Sequence, residues 1–287
     1  MRAGAALYGA LVARRLFHPP RRRHHRTPAD LGLPFEEVRT TTSDGVSLHL
    51  WLLPGRTDRI AVVGHGIGLS KSASIAHAAI LHAEGFTVAL FDHRNHGLSG
   101  KDRSRRGLSD RFTRDIEACV TELRSRCPDA RTTIVWGFSF STFPSFYVLG
   151  RPDCGVDAVL CDSGPGDALA PLFDAFLDSG AIPVPGPFRA GEPRRRLGNA
   201  CAARAIDMLG ATWPPPVDAG RFSTTPTLFL AARQDAIVPS AQVHALADRY
   251  PLAQVVDVEG AHLQGLKTDP GSYTAHVRAF VANVTAR

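Results

Sequence analysis

The stretch Thr132 to Ser145 reads TTIVWGFSFSTFPS and sets one serine where it could act as a nucleophile. A run with β-branched residues, Thr133, Ile134 and Val135, leads through Trp136 into Gly137, Phe138, Ser139, Phe140 and Ser141 with no polar spacer. A buried strand that turns at once into a helix has this pattern. Such a turn is tight, so the residues flanking its apex must be small, and Gly137 and Ser141 are small. Ser139 sits at the apex, where its hydroxyl would stand out over the end of the sheet. A strand followed by a polar turn would give the same five letters, so the rest of the chain has to supply the chemistry. Acyl transfer by serine needs a base within hydrogen-bond reach and an acid that orients the base. It also needs backbone N–H donors aimed at the developing oxyanion.

Those groups must be carried to one place by the elements around them. Glu36 to Thr42 and Val46 to Leu53 alternate as strands, with Asp44-Gly45 in the turn between them, a strong hairpin signal. Short apolar runs at Arg59 to Gly64, Phe86 to Phe91, Val156 to Cys161, Thr227 to Ala232 and Ala253 to Val258 read as further strands. Helical compositions at Ser70 to Ala83, Ser109 to Arg126, Ser240 to Tyr250 and Ser272 to Val284 fall between or after them. Another helix follows the Ser139 turn through about Leu149. This alternation predicts an α/β fold: a mainly parallel sheet with an antiparallel opening hairpin and helices on both faces. In such a sheet, functional groups collect beyond the carboxyl ends of the strands. His65 to Gly68, Asp92, Ser139, Asp162, Asp235 and His262 all fall there.

With these residues in place the chain resembles a serine hydrolase of the α/β-hydrolase fold, from Glu36 to the C-terminus. The residues that carry the resemblance are His65-Gly66, the run Asp92-His93-Arg94-Asn95-His96-Gly97-Leu98-Ser99, Gly137-Phe138-Ser139, Asp235 and Gly260-Ala261-His262. The order nucleophile, acid, histidine is that of the family. The resemblance implies Ser139 as nucleophile, His262 as general base and then acid, and Asp235 as its orienter. It implies the backbone N–H groups of Ile67 and Phe140 as oxyanion donors, with His65, Gly66 and Gly137 supporting them. The opening of the chain is also similar to that of membrane-associated hydrolases and of the serine-aminopeptidase-like branch.

Other readings compete at several positions. Ser141 stands where the family motif has glycine, and its hydroxyl could be a second nucleophile or a helix cap. Asp162 also ends a strand and is the alternative acid. His65 is expected to hold the oxyanion loop by hydrogen bonds rather than to catalyse. His93 and His96 lack a carboxylate or cysteine partner at ligand spacing, so no metal is expected. Cys161 lies in an apolar run of the kind that holds inert buried thiols. Gly164 to Arg221 interrupts the alternation with a Pro- and Gly-rich insertion that contains helical stretches at Leu169 to Phe176 and Leu197 to Leu209. An insertion of that length reads as a cap, over about 164–221, following the sixth strand. Its Arg194, Arg195 and Arg196 could meet an acidic substrate or form a solvated face.

The chain has 287 residues with 44% hydrophobic and 21% charged, which suits one domain over 31–287 behind a basic tail over 1–30. Five cysteines, Cys119, Cys127, Cys154, Cys161 and Cys201, show no ligand spacing and read as free thiols of a reducing, cytoplasmic setting. The net charge is +6, but seven arginines precede Asp30 with no acid among them. Without those seven, 26 basic residues face 27 acidic ones, so a chain-wide nucleic-acid footprint is not expected. Ala3 to Ala13 is apolar but shorter than the ~20 residues of a bilayer span. Followed by clustered arginines, it could lie at an anionic membrane surface, or pack as a helix on its own domain. Pro19, Pro20 and Pro28 mark Phe17 to Asp30 as a linker. The expected reaction is cofactor-free hydrolysis of an acyl bond, chiefly a carboxylic ester, in a small molecule with an apolar group. Amide or peptide cleavage, thioester hydrolysis, acyl transfer and a non-catalytic scaffold are the alternatives.

Overall fold

The structure is a computed structural model that describes residues 2–151, 153–180 and 182–286. Ala181 of the cap stretch and Arg287 at the end of the domain lie outside them. Among the described residues eight strands form one sheet: β1 (Glu36–Thr41), β2 (Ser47–Leu53), β3 (Arg56–Val63), β4 (Phe86–Phe91), β5 (Thr132–Phe138), β6 (Ala158–Asp162), β7 (Thr227–Ala232) and β8 (Ala253–Val258). Their order is β1-β2-β4-β3-β5-β6-β7-β8. The β1–β2 and β2–β4 pairs are antiparallel and all the others are parallel. The helices are α1 (Arg2–Phe17), α2 (Ile75–Ala83), α3 (Leu108–Arg126), α4 (Thr142–Tyr147), α5 (Leu169–Asp178), α6 (Gly191–Leu209), α7 (Ser240–Ala247), α8 (Gly265–Thr268) and α9 (Pro270–Thr285).

Alternation along the strands builds a core on each face. Ile60, Val62 and Val135 pack with Ile116 and Leu123 of α3 and Val243 of α7. Their neighbours Ala61, Val63, Ile134 and Trp136 pack on the other side with Ala78 of α2 and Val277 of α9. A parallel sheet buried on both faces needs this, and it explains why its strands read as unbroken apolar runs. The insertion between β6 and β7 carries α5 and α6. They form a third apolar cluster with Phe112, Phe143 and the N-terminal helix, over the end of the sheet.

Two expectations are corrected locally. The helix expected from Ser70 opens as a 3₁₀ turn, Lys71–Ser74, before α2 begins. Here the buried carboxylate of Asp92 accepts the Lys71 backbone N–H at 2.9 Å and pulls the first turn inward. The helix after Ser139 is short, with 3₁₀ turns at Ser139–Ser141 and Val148–Gly150 on either side of α4.

The larger difference lies at the N-terminus. Residues expected as a tail and linker are an ordered helix and an extended strap laid on the domain. Ala5, Val12, Ala13, Leu16 and Phe17 of α1 are buried. A side chain at Gly9 would put its Cβ 2.9 Å from that of Ala200, so glycine lets α1 approach α6 closely. Arg14 and Arg15 fall in the last turn of α1, where the helix dipole favours positive charge. Beyond it, Asn95 donates to the Phe17 carbonyl at 3.2 Å and Arg21 to the Gly97 carbonyl at 3.3 Å. His24 Nε2 lies 2.8 Å from Asp92 Oδ2. No described helix is long and apolar enough to cross a membrane.

Phe17 is 1% exposed and packs on Phe112, Phe140 and Phe173 at ring distances of 6.0–6.3 Å. Phe17→Ala is therefore expected to cost about 3 kcal/mol, read as a lower urea midpoint with an unchanged slope. A midpoint within error of the parent would mean that α1 is not docked in solution.

Candidate active site

Three strand ends meet at one rim of the sheet. Ser139 follows β5, Asp235 follows β7 and His262 follows β8. Ser139 has φ of 50°, the left-handed region that a non-glycine residue occupies only when its surroundings force it. The force comes from the turn itself. A Cβ at Gly137 would lie 2.4 Å from the Ser141 carbonyl oxygen, so only glycine allows the chain to fold back so sharply. Ser139 Oγ is 2.8 Å from His262 Nε2, and His262 Nδ1 is 2.7 Å from Asp235 Oδ2. The other oxygen of Asp235 accepts the backbone N–H groups of Ile237 and Val238 at 2.8 and 2.9 Å. A carboxylate so held can only accept from the imidazole. Nδ1 then carries the proton, and the free lone pair of Nε2 faces the serine hydroxyl. Chemically, the arrangement can withdraw a proton from Ser139 as its oxygen attacks.

The backbone N–H groups of Ile67 and Phe140 have no hydrogen-bond acceptor among the described residues. Ile67 and Ser139 line the same cavity. The loop that carries Ile67 is held by two histidines. His65 Nδ1 donates to the Gly66 carbonyl at 2.8 Å, and its Nε2 accepts the His93 backbone N–H at 3.1 Å. His96 Nδ1 donates to the Arg94 carbonyl at 2.8 Å while its Nε2 accepts from the Gly68 N–H at 3.0 Å. Each ring must be neutral, since one of its nitrogens accepts. Burial, with the nearby His93, pushes His65 down to about 3, and burial holds His96 well below its usual value.

Asp162 does not reach His262. Its carboxylate accepts from Tyr273 and, at 2.8 Å, from Ser163 Oγ, and burial raises its pKa. Ser163 Oγ in turn accepts the Leu263 N–H at 2.9 Å, so Asp162 steadies the histidine loop from behind. Ser141 Oγ points away from the rim to His93 Nε2 at 2.9 Å, and His93 Nδ1 is 3.3 Å from Asp115 Oδ2. Ser141 is thus neither an accessible nucleophile nor a helix cap. Cys161 is buried, and burial raises its thiol well above the usual range. Arg194 is paired with Asp174 and Asp178, and Arg195 and Arg196 with Glu192.

The sequence did not reveal the polar groups behind this rim. Arg94 is wholly buried and donates to Asp115, Asp44 and Asp102 at 2.8 Å each. Lys71 is also buried and donates to Asp92 at 2.8 Å and to His49 Nδ1 at 2.7 Å. Burial opposes the charge on Asp92, but the His24 hydrogen bond and the Lys71 ammonium together hold its carboxyl below the usual range. The run Asp92 to Ser99 was legible as part of the family resemblance; its distant partners were not.

Beside Ser139 lies an apolar cavity between the rim and the cap. Its walls include Leu16 and Phe17 from α1, Phe143 from α4, Leu169 and Phe173 from α5, and Val238.

Comparison with known proteins agrees with this architecture. A family model described as the alpha/beta hydrolase fold matches residues 62–186, and one described as TAP-like protein matches residues 186–286. A search of curated protein sequences found no match. Among solved structures, an esterase of Pyrococcus furiosus superposes with a TM-score of 0.74 at 21% identity, covering 93% of this chain and 97% of that one. A bacterial membrane phospholipase A superposes at 0.63 with 16% identity, covering 100% and 93%. An esterase of Exiguobacterium antarcticum does so at 0.62 with 14% identity, covering 86% and 100%. At these identities the likeness is one of fold.

Two outcomes are expected from the buried polar groups. His65, His77 and His93 are each held near 3 by burial, below the 6.5 of an exposed histidine. The unfolded chain therefore takes up protons first, and their stabilisation, full above about 6.5, is lost as pH falls toward 3. Asp115, raised to about 6 by burial, and Asp162, also raised by burial, act in the opposite sense, but burial lowers His49 and His96 as well, so two groups stand against five. Tm should fall steadily from pH 7 to pH 4.5 in a calorimetric series; a flat profile would contradict the neutral assignment. Ser141→Ala leaves His93 Nε2 buried without a donor and should cost about 1–3 kcal/mol. Labelling of Ser139 by a fluorophosphonate should persist in that variant, and its loss would show Ser141 to be the reactive serine.

Proposed function

The chain belongs to the α/β-hydrolase fold, and we propose that it is a serine hydrolase cleaving carboxylic esters through Ser139, His262 and Asp235. The observation that carries the proposal is the continuous hydrogen-bond chain of 2.8 and 2.7 Å from Ser139 Oγ through His262 to Asp235. In this mechanism His262 Nε2 takes the proton of Ser139 as its Oγ attacks the ester carbonyl. The carbonyl oxygen becomes an oxyanion, held by the free N–H groups of Ile67 and Phe140. Collapse breaks the bond to the alcohol oxygen, which receives the proton from His262 and leaves. A water then gives its proton to His262 and attacks the acyl-enzyme. The acid departs when His262 returns that proton to Ser139.

An ester with an apolar acyl group suits the cavity better than a peptide. Beside the triad serine, the walls are leucine, phenylalanine, isoleucine, valine, threonine, glycine and proline. A peptidase that grips a free amino terminus needs a carboxylate there, and none lines this cavity. Two of the solved neighbours are described as esterases and one as a phospholipase A, which points the same way.

The test is a rate series on p-nitrophenyl esters of rising acyl length, beside an aminoacyl amide. Ser139→Ala should abolish fluorophosphonate labelling and lower kcat by about 10⁶-fold. Asp235→Asn should lower it by about 10⁴-fold, because the wrong imidazole tautomer would be favoured. Asp162→Asn should stay within about tenfold of the parent, since Asp162 acts on the loop and not on the ring. Faster turnover of the amide would overturn the ester assignment, and a collapse of activity in Asp162→Asn would transfer the orienting role to that residue.

A further inference from the structure

The apolar cavity at Ser139 does not end at Ile67. Leu16, Ile67 and Phe176 are shared with a second cavity that opens outward between the N-terminal strap and the cap. The outer walls of that second cavity include Arg15, Arg21 and Arg22. All three are exposed at its mouth. None has a carboxylate partner among the described residues, where the only side-chain hydrogen bond of the three goes from Arg21 to the Gly97 carbonyl. No acidic residue lines either cavity. The arginines of the cap differ, since Arg194, Arg195 and Arg196 are satisfied by carboxylates of their own surface.

Three unneutralised guanidinium groups around one opening form a site for an anion, and their planar forks match phosphate oxygens. Their position is fixed rather than diffuse. Arg15 lies in the last turn of α1, which is docked on the domain through Val12, Leu16 and Phe17, and the strap that carries Arg21 and Arg22 is anchored by His24 on Asp92, Arg21 on Gly97 and the Phe17 carbonyl on Asn95. Ile67 stands at the junction of the two cavities and offers a free N–H toward the oxyanion. A carbonyl seated there places one arm of an ester in each cavity. The acyl arm must stay bound through both half-reactions, so it belongs in the apolar slot enclosed by α1 and the cap. The alcohol arm leaves after the first half-reaction and belongs in the open mouth.

We propose that Arg15, Arg21 and Arg22 bind a phosphate group on the alcohol arm, so that the preferred substrate is an apolar acyl ester of a phosphorylated alcohol. The proposal rests on the serine ester hydrolase reading, and the two fail separately. Octanoate release is measured from 1-octanoylglycerol 3-phosphate and from 1-octanoylglycerol, both monomeric and at low salt, with the full chain. The phosphorylated ester should be favoured in kcat/KM by at least about tenfold, and 0.3 M salt should erode that preference. In the double variant Arg15→Gln, Arg22→Gln the ratio should fall by about tenfold, whereas in Arg195→Gln it should not change. A melting curve and fluorophosphonate labelling of the double variant report that it is folded.

Equal or faster turnover of the neutral ester would overturn the proposal and leave the hydrolase reading standing. Preference for phosphate that emerges only with long-chain esters in phosphatidylcholine vesicles, and not with monomers, would also overturn it. Charge would then be recruiting the protein to a surface rather than seating a head group. Failure of fluorophosphonate to label Ser139 would remove the hydrolase reading, and this proposal with it.

Discussion

One hydroxyl, one imidazole and one carboxylate, carried on three separate loops, must hold two hydrogen bonds of 2.8 and 2.7 Å at once. A displacement of an ångström at any of the three would break the relay. Loops alone do not give such precision, and here each begins where a parallel strand of the sheet ends, β5 and β7 in its buried interior and β8 at its edge. β7 pairs with both β6 and β8, and β6 with β5, so the three strand ends are in register through continuous ladders. The last residue on each side is then fixed by its own backbone contacts. The carboxylate of Asp235 is tied to two N–H groups of its loop, and the N–H of Leu263, next to His262, is tied to Ser163. The geometry of the candidate triad is thus a property of the sheet, passed to the side chains by short polar links.

Behind the rim the protein keeps an unusual amount of polarity dry. His65, His93, Arg94, Lys71, Asp92 and Asp115 are at most 0% exposed, and each is hydrogen-bonded. Burying such charges is costly, and a well-packed apolar set would often serve stability as well or better. What these groups provide is directional. Arg94 joins the loop after β4 to Asp44 in the hairpin turn, to Asp102 and to Asp115 of α3. Lys71 and Asp92 join the start of the α2 region to the strap. Each partner has one solution in space, whereas apolar contacts tolerate sliding. The loop bearing Ile67 is clamped between these groups through His65 and His96, which is why its free N–H can be aimed.

The sequence made the sheet, the cap and the candidate triad legible for separable reasons. Apolar runs such as Phe86–Phe91 and Thr227–Ala232 can be buried on both sides only as inner strands, and their bounds were read without error. Ser139, Asp235 and His262 each come soon after a strand of the parallel sheet, so their shared rim follows from strand polarity. The N-terminal segment was read as a basic tail, with a packed helix only as an alternative, because seven arginines dominate its composition, although its buried residues Ala5, Val12, Ala13, Leu16 and Phe17 lie at helical spacing around Gly9. Charge describes the exposed face of α1 and says nothing of the face that docks. Pairings such as His24 with Asp92, or Arg94 with Asp44, join residues far apart in the chain, and no local pattern encodes them.

Among the described residues, serines two positions apart each head a serine–histidine–aspartate sequence of hydrogen bonds. Ser141, His93 and Asp115 repeat the order of Ser139, His262 and Asp235 at 2.9 and 3.3 Å. Residue type and connectivity therefore do not make a reactive serine. Ser141 is fully buried with ordinary helical backbone at φ −65°, and both His93 and Asp115 lie in the interior. Ser139 has φ of 50°, borders a cavity and lies next to two unengaged N–H groups. The strained turn projects one hydroxyl outward and directs the other, two residues later, into the core. Serine in place of the usual glycine at 141 is then part of the support: its hydroxyl bonds His93, whose backbone N–H bonds His65, whose ring holds the loop bearing Ile67. The inner set holds in position the loop that the outer set needs, and the turn that exposes Ser139 is what separates the two.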